Sequence, residues 1–424
     1  MKPLAASQPG LTPDPGFGYV ARMVRIVFPR PVYVLAALAV LMAIGIGCQP
    51  PGRRFYLIRE AFRPLERPSA VPPGVTLCTS DGPPTDIRPQ RNVLALSSGG
   101  LYGAYSAGFL SGWTKTGSRP EFDTVTGASV GSLIAPYAFL GSDYDGVAMA
   151  LHTGVRAEDV FRIRAWVTIP FKDAIASSAP LKRLIESQMA PELLGRIAEE
   201  HRKGRRLYVA TTNLSTRRLV VWDMGAIACL PNGATLFRDV LLASCAVPGM
   251  FPPVLFLVPG EDGEPVPELH GDGGITAQLF MPSSVFHAAA AANPPNVPIV
   301  PGANGNLYCI VSGKMYADAS PLRQKVLPIL GATTEAIMYA NCRAELGHLN
   351  SQATLSGMRF HAAALRQDAT VDVQTSMSIN QGEMQKLYRE GEHDGLALQW
   401  QYAAPDLCAP APVFVRGSSR PRRR

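Results

Sequence analysis

A chain of 424 residues with 47% hydrophobic and 17% charged residues, rich in Gly (39) and Pro (38), suits one large α/β enzyme domain, or two, with many loops. Its formal charge of +7 lies at the ends: residues 1 to 67 hold nine Lys/Arg against three Asp/Glu, and Arg416 to Arg424 adds five arginines. The middle is not basic, which argues against nucleic-acid binding by the fold itself; basic ends fit a membrane-adjacent segment and a loose tail.

From Met1 to about Arg22 the chain is rich in Pro and Gly. Arg25 and Arg30 then precede sixteen apolar residues, Val32 to Gly47, which end at Cys48. That run reads as a signal-peptide core, a little short for a spanning helix. Counted from Met23, the segment has the length of an ordinary signal peptide. Ile44-Gly45-Ile46-Gly47-Cys48 fits a permissive lipobox, with Gly45 where Leu is preferred. We therefore expect residues 1–48 to be an extension plus membrane anchor with Cys48 lipidated. The alternative is an uncleaved signal anchor, with Arg25 and Arg30 on the cytoplasmic side. Either way the rest of the chain is expected in the cell envelope, outside the cytoplasm and tethered to a membrane surface; Gln49 after Cys48 leans towards an outer membrane. Residues 49–91, with eight prolines between Gln49 and Asp86, read as an extended linker.

With Cys48 acylated, Cys78, Cys229, Cys245, Cys309, Cys342 and Cys408 remain. An even count in an oxidising compartment permits disulfides, Cys78 with Cys408 among them; buried free thiols are the alternative.

The first strand signal is Asn92 to Leu96, followed by the Gly-rich turn Ser97-Ser98-Gly99-Gly100 and a helix start. Paired glycines let backbone N–H groups point into one concavity, which suits an oxyanion. A second strand, Phe122 to Thr126, runs into Gly127-Ala128-Ser129-Val130-Gly131, and helical spacing resumes at Leu133. Strand, sharp turn and helix leave the Ser129 hydroxyl above a sheet at a helix N-terminus, where the dipole favours developing negative charge. Ser129 is the candidate nucleophile. Residues 156 to 205 look mostly helical and could cap the site. Two strands follow between Arg206 and Met224, then a helix from Leu236 to Ala243 and a Pro-rich wall at Pro248 to Pro253. Glu268-Leu269-His270-Gly271-Asp272-Gly273-Gly274 places a carboxylate, Asp272, at a strand end among glycines. Leu307 to Ser312 reads as a buried strand, and helices at about 321 to 366 and 380 to 390 as covering layers. No internal repeat is evident. No Cys/His/Asp spacing calls for a metal, and no cofactor is expected.

Three of these motifs, with a fourth at Ala243-Ser244-Cys245-Ala246-Val247-Pro248-Gly249-Met250-Phe251-Pro252-Pro253, resemble the patatin-like phospholipase family across roughly residues 92 to 290. The resemblance implies a three-layer α/β/α hydrolase with a mixed, mostly parallel central sheet, spanning about 92–410 as one domain ahead of a basic tail at 411–424. It implies a Ser129/Asp272 dyad, Ser129 as nucleophile and Asp272 as general base, acting on lipid acyl esters. Gly99, Gly100, Leu101 and Val130 would form the oxyanion hole, with Gly103, Gly127, Gly131, Gly273 and Gly274 as supporting motif glycines. Two positions depart from the family pattern: Ser98 replaces the first glycine of the oxyanion loop, and Tyr102 replaces a basic residue, one less partner for a phosphate. That favours an esterase or lipase over a phospholipase.

An ordinary Asp titrates near 3.9, roughly ten units below a serine hydroxyl, so Asp272 needs a water-poor site to act as a base. A histidine could serve as intermediary: His287, His348, His361 and His393 have the right chain order for a triad, and His270 lies two residues before Asp272, on the same side of a strand. Acyl transfer by the same dyad, or a catalytically silent envelope lipoprotein that binds rather than cleaves, are the rival readings.

Overall fold

In the computed structural model the described residues are 69–406, except 73, 78–90, 166–167, 169–171, 261–263, 294–297, 319–321, 323 and 371–379. The anchor segment with Cys48, the Cys78–Cys408 pairing and the basic tail lie outside the described residues.

The strands, in chain order, are β1 (Ser69–Ala70), β2 (Thr76–Leu77), β3 (Asn92–Leu96), β4 (Thr124–Ala128), β5 (Arg162–Ile163), β6 (Ala176–Ser177), β7 (Arg206–Asn213), β8 (Arg218–Asp223), β9 (Val254–Pro259), β10 (Pro265–Asp272), β11 (Gly305–Val311) and β12 (Met358–Ala364). All but β5 and β6 join one sheet of order β1-β9-β10-β7-β4-β3-β11-β12, with β8 on the other edge of β7 and β2 on β8. The run β7-β4-β3-β11-β12 is parallel; β10 and β8 pair with β7 antiparallel. The sheet is thus mixed and mostly parallel at its centre, as expected.

Both faces are covered, and the period-two alternation of the central strands shows it. Leu94, Leu96, Tyr308 and Ile310 face one layer, which includes α1 (Gly103–Lys115), α2 (Val130–Leu140) and α11 (Gln381–Leu396). Val93, Ala95, Leu307, Cys309 and Val311 face the other, α9 (Ser283–Ala290) and α10 (Val326–Ser356). The remaining helices are α3 (Asp145–Thr153), α4 (Ala157–Val160), α5 (Ala179–Gln188), α6 (Pro191–Arg202), α7 (Met224–Ala228) and α8 (Gly233–Ser244). Helices α1 and α11 approach so closely that a Cβ on Gly108 or Gly112 would strike the carbonyls of Tyr388 or Glu392, and one on Gly391 or Gly395 those of Tyr105 or Phe109. Four glycines at i,i+4 spacing lock α1, and with it the loop that feeds it.

Several readings change. Part of the stretch read as a linker belongs to the sheet: β1 and β2 lie within it, with Val71 and Val75 buried in the main core. Residues 156 to 205 are interrupted by the antiparallel pair β5/β6, beside which Arg164 meets Asp173 at 2.8 Å. Residues 321 to 366 are not all helix: α10 ends where Gly357 turns left-handed (φ 79°), a conformation glycine adopts without steric cost. Met358 to Ala364 continue as the strand β12. Strand β9, hidden behind Pro252-Pro253, was not anticipated. The four described cysteines that could have formed disulfides, Cys229, Cys245, Cys309 and Cys342, are free. Among the described residues no helix is long and apolar enough to cross a membrane.

Candidate active site

Ser129 follows the last residue of β4 and caps α2, with φ 50° and ψ −123°. A side-chain-bearing residue at positive φ costs about 1–3 kcal/mol and persists only where its surroundings hold it. Here they do. The Ser129 N–H donates to Ser244 Oγ at 3.0 Å, and Ser244 donates onward to the Ala210 carbonyl at 2.7 Å. The Ser129 carbonyl accepts from Ser132 Oγ at 2.6 Å and from Cys245 Sγ at 3.4 Å. Gly131 lets the first turn of α2 press on β3, where a Cβ would meet the carbonyls of Leu96 and Ser97.

The register of β7 brings the carboxylate to this turn. On one edge, β7 pairs with β8 along Tyr208 to Asn213. Its other edge carries β4 on residues 206 to 210 and β10 on residues 211 to 213. Strands β4 and β10 therefore meet end to end, with Ala128 opposite Ala210 and Asp272 opposite Thr211. Ser129 and Asp272 lie at that junction, and Ser129 Oγ donates to Asp272 Oδ2 at 2.7 Å.

Asp272 is held from three more directions. Its other carboxylate oxygen accepts the Gly274 N–H at 2.7 Å, its carbonyl accepts Thr212 Oγ1 at 2.8 Å, and its N–H donates to the Ala246 carbonyl at 3.0 Å. Gly273 packs against Ala210. Burial pushes the Asp272 carboxyl up to about 6; the hydrogen bonds from Ser129 and Gly274 work in the opposite direction.

The Gly-rich loop stands beside this pair. Gly99, at φ 154°, lies so close to the Ser312 carbonyl that a Cβ would collide with it. A short 3-10 turn spans Gly100–Tyr102, and Gly103, pressed against Val130, opens α1. Gly100, Leu101, Ser129 and Val130 all line a cavity beside Ser129, and Gly99 is not among its lining residues. The first N–H groups of a helix have no intrahelical acceptor, so Val130 at the start of α2 offers a donor to whatever approaches Ser129. Ser98 is accommodated without loss of the loop: its hydroxyl donates to Gln278 Oε1, and its N–H donates to the Gln278 carbonyl at 3.0 Å. Gln278 in turn donates from Nε2 to the Gly274 carbonyl at 3.3 Å, and the N–H groups of Gln278 and Leu279 donate to Glu345 of α10 at 3.1 and 2.8 Å. One glutamine thus ties the Gly-rich loop to the Asp272 loop. Tyr102 is pushed above its ordinary value by burial and then by the nearby Asp318 and Glu335 carboxylates, the first of which pairs with Lys314 at 2.7 Å.

The five histidines weighed as intermediaries stand elsewhere. His270 is buried against Trp222 and Phe256, with Nδ1 at 2.8 Å from Thr211 Oγ1 and Nε2 at 3.1 Å from Glu268. His361 stacks on Tyr308, His393 pairs with Asp394, and His287 and His348 are exposed. The serine hydroxyl reaches the carboxylate directly.

Beside Ser129 opens a cavity of about 150 Å³ lined by apolar side chains including Leu133, Leu181, Ile185, Met189, Phe251 and Met384. The stretch expected to cap the site supplies Leu181, Ile185 and Met189 of that wall. Among the described residues no lysine or arginine lines it. Ser244, Gln278, Glu345, Tyr137 and His152 were not singled out from the sequence. Ser244 was within reach, since it lies in the quoted Ala/Pro motif; the others carry no local pattern.

Residues 94–281 match the family model described as patatin-like phospholipase, an interval that contains all four motifs. No curated protein sequence matches the chain. Among solved structures, the crystal structure of VipD from Legionella pneumophila is similar at 13% sequence identity and a TM-score of 0.31, over 74% of this chain and 68% of that one. With the elbow serine, the glycine loop and the Asp-Gly-Gly turn brought to one junction of a mixed α/β sheet, residues 94–281 of this chain are a patatin-like phospholipase domain.

Proposed function

We propose that this chain is a serine acyl hydrolase that cleaves lipid acyl esters through Ser129 and Asp272. The observation that carries this reading is the 2.7 Å hydrogen bond from Ser129 Oγ to Asp272 Oδ2, made by two buried groups of which Ser129 lines an apolar cavity. Ser129 Oγ attacks the acyl carbonyl carbon as its proton passes to Asp272. The oxyanion that forms is received by the backbone N–H groups of Gly100, Leu101 and Val130, residues that line the cavity beside Ser129. Collapse of the tetrahedral adduct breaks the ester C–O bond, and Asp272 returns the proton to the leaving alkoxide. Water, deprotonated by Asp272, then attacks the acyl-enzyme, and Ser129 leaves with the proton restored. The acyl chain occupies the apolar cavity. Among the described residues no Lys or Arg lines that cavity, which favours an ester without a phosphate there.

Treatment of the full chain with a fluorophosphonate and peptide mapping tests the reading. A single adduct on Ser129, with cleavage of neutral lipid esters above the no-enzyme rate, is the expected result; a folded protein that takes no adduct and cleaves no ester would overturn it.

The reading extends to location. The basic-then-apolar pattern of residues 23–48 supports a lipid-anchored protein held at a membrane surface by Cys48. Intact-mass analysis of the mature chain is expected to show a thioether-linked lipid that Cys48→Ser removes; an unmodified wild-type Cys48 would refute the anchor and leave the hydrolase reading standing.

A further inference from the structure

Against the cavity beside Ser129 lies a second one, of about 460 Å³. The two share four half-buried lining residues: Leu151 of α3, Val155 just beyond it, and Leu184 and Gln188 of α5. Gly100, Leu101, Ser129 and Val130 line the first cavity and not the second. An acyl chain that starts at Ser129 therefore meets the second cavity across those four side chains.

Helix α5 shows why the two spaces differ in character. Its residues four apart share a face: Leu181 and Ile185 line the first cavity, Arg183 and Ser187 the second, and Leu184 and Gln188, on the boundary between those faces, line both. Glu158 and Asp159 of α4 join Arg183 in the wall of the second cavity, and all three are exposed. The first space is apolar and, at about 150 Å³, of a size that stays dry. The second is lined by charges that water reaches. Each methylene moved from water into the first is expected to tighten binding by up to about fourfold. One pushed past Leu184 among those charges stays in contact with water and gains nothing.

We propose that Leu151, Val155, Leu184 and Gln188 form a partition that sets the longest acyl chain this site holds, so that its substrates are esters of short and medium acyl chains that end at that partition. The inference rests on the acyl-ester reading above, but its test does not require turnover. The full chain carrying Ser129→Ala is titrated, by displacement of a fluorescent acyl probe, with methyl esters of linear acids of rising chain length. Affinity is expected to climb with each added carbon and then to stop climbing at one length. Leu184→Ala and Leu151→Ala, each added separately and checked for folding by thermal melting, are expected to move that length upward by about two or three carbons, because each removes three carbon atoms from the partition and leaves apolar space in their place. A substitution that only loosened packing would instead weaken every ester alike and leave the limiting length where it was. Affinity that climbs without a limit through the longest ester would overturn the proposal, and so would a limit that stays at the same length in both variants. If the wild-type protein cleaved no ester at all, the hydrolase reading would fail while the binding series still gave its answer; brisk cleavage with no limit on chain length would remove this inference alone.

Discussion

Replacing Ser129 with alanine is expected to lower kcat/KM on an acyl ester by at least about 10³-fold, the scale seen when the nucleophile of a serine hydrolase is deleted. The fluorophosphonate adduct is expected to disappear with it. Stability should not follow activity down. The backbone at Ser129 is held at φ 50°, ψ −123° by Ser244 and Ser132, and alanine inherits that strain unchanged. Glycine does not, because it lacks the Cβ that makes positive φ unfavourable. Ser129→Gly is therefore expected to be as inactive as Ser129→Ala but to melt higher, by the few degrees that about 1–3 kcal/mol of relieved strain provides. Calorimetry on the two variants compares proteins that both lack the hydroxyl. If the alanine variant kept wild-type activity, the assignment of Ser129 would be wrong; if glycine melted lower, the strain argument would be.

Asp272→Asn is expected to remove activity and add stability at the same time. The carboxylate is the only group bonded to the Ser129 hydroxyl oxygen among the described residues, and loss of a general base costs about 10²–10⁴-fold. Because burial raises Asp272 to about 6, the wild-type rate should climb with pH through a midpoint near 6 as the carboxyl loses its proton, then level off. The same shift has the opposite effect on stability. Between pH 4 and 6 the folded state keeps a proton that the unfolded carboxyl has already released, so the folded state binds more protons and stability falls as pH rises through that window. Above it, the ionised buried carboxylate costs about 3 kcal/mol relative to its unfolded state. Asparagine carries no such cost. Asp272→Asn should thus melt above the wild type at pH 8, with the difference closing towards pH 4, a trade of stability for function common at active sites. A flat wild-type rate from pH 5 to 8, or a variant that melts lower at pH 8, would contradict the account.

How much of this was legible beforehand differs from element to element. The Gly127-to-Gly131 elbow was readable because a strand, a tight turn and a helix are local structures, set by neighbours in sequence; β4 proved to end at Ala128, two residues later than the pattern suggested. The helix reading of 321 to 366 failed at Gly357 because Ala362, Ala363 and Ala364 favour a helix locally, and hydrogen bonding to β11 overrides that preference. Strands β1 and β2 were hidden in a Pro-rich stretch, since two-residue strands depend wholly on the partners they pair with.

By itself, the sequence determined the kinds of chemistry present: an elbow serine, a glycine loop, a carboxylate at a strand end, a patatin-like order of motifs, and small residues wherever backbones must touch. Residue type and short-range spacing are enough for these, because backbone sterics and period act over a few residues. Only the tertiary structure decided that β4 and β10 share one edge of β7, which places Ser129 against Asp272 across 143 positions of chain with no histidine between them. It also decided that Gln278 ties the two loops. Those outcomes depend on strand pairing and packing between distant segments, where the free energy comes from contacts that no local pattern records.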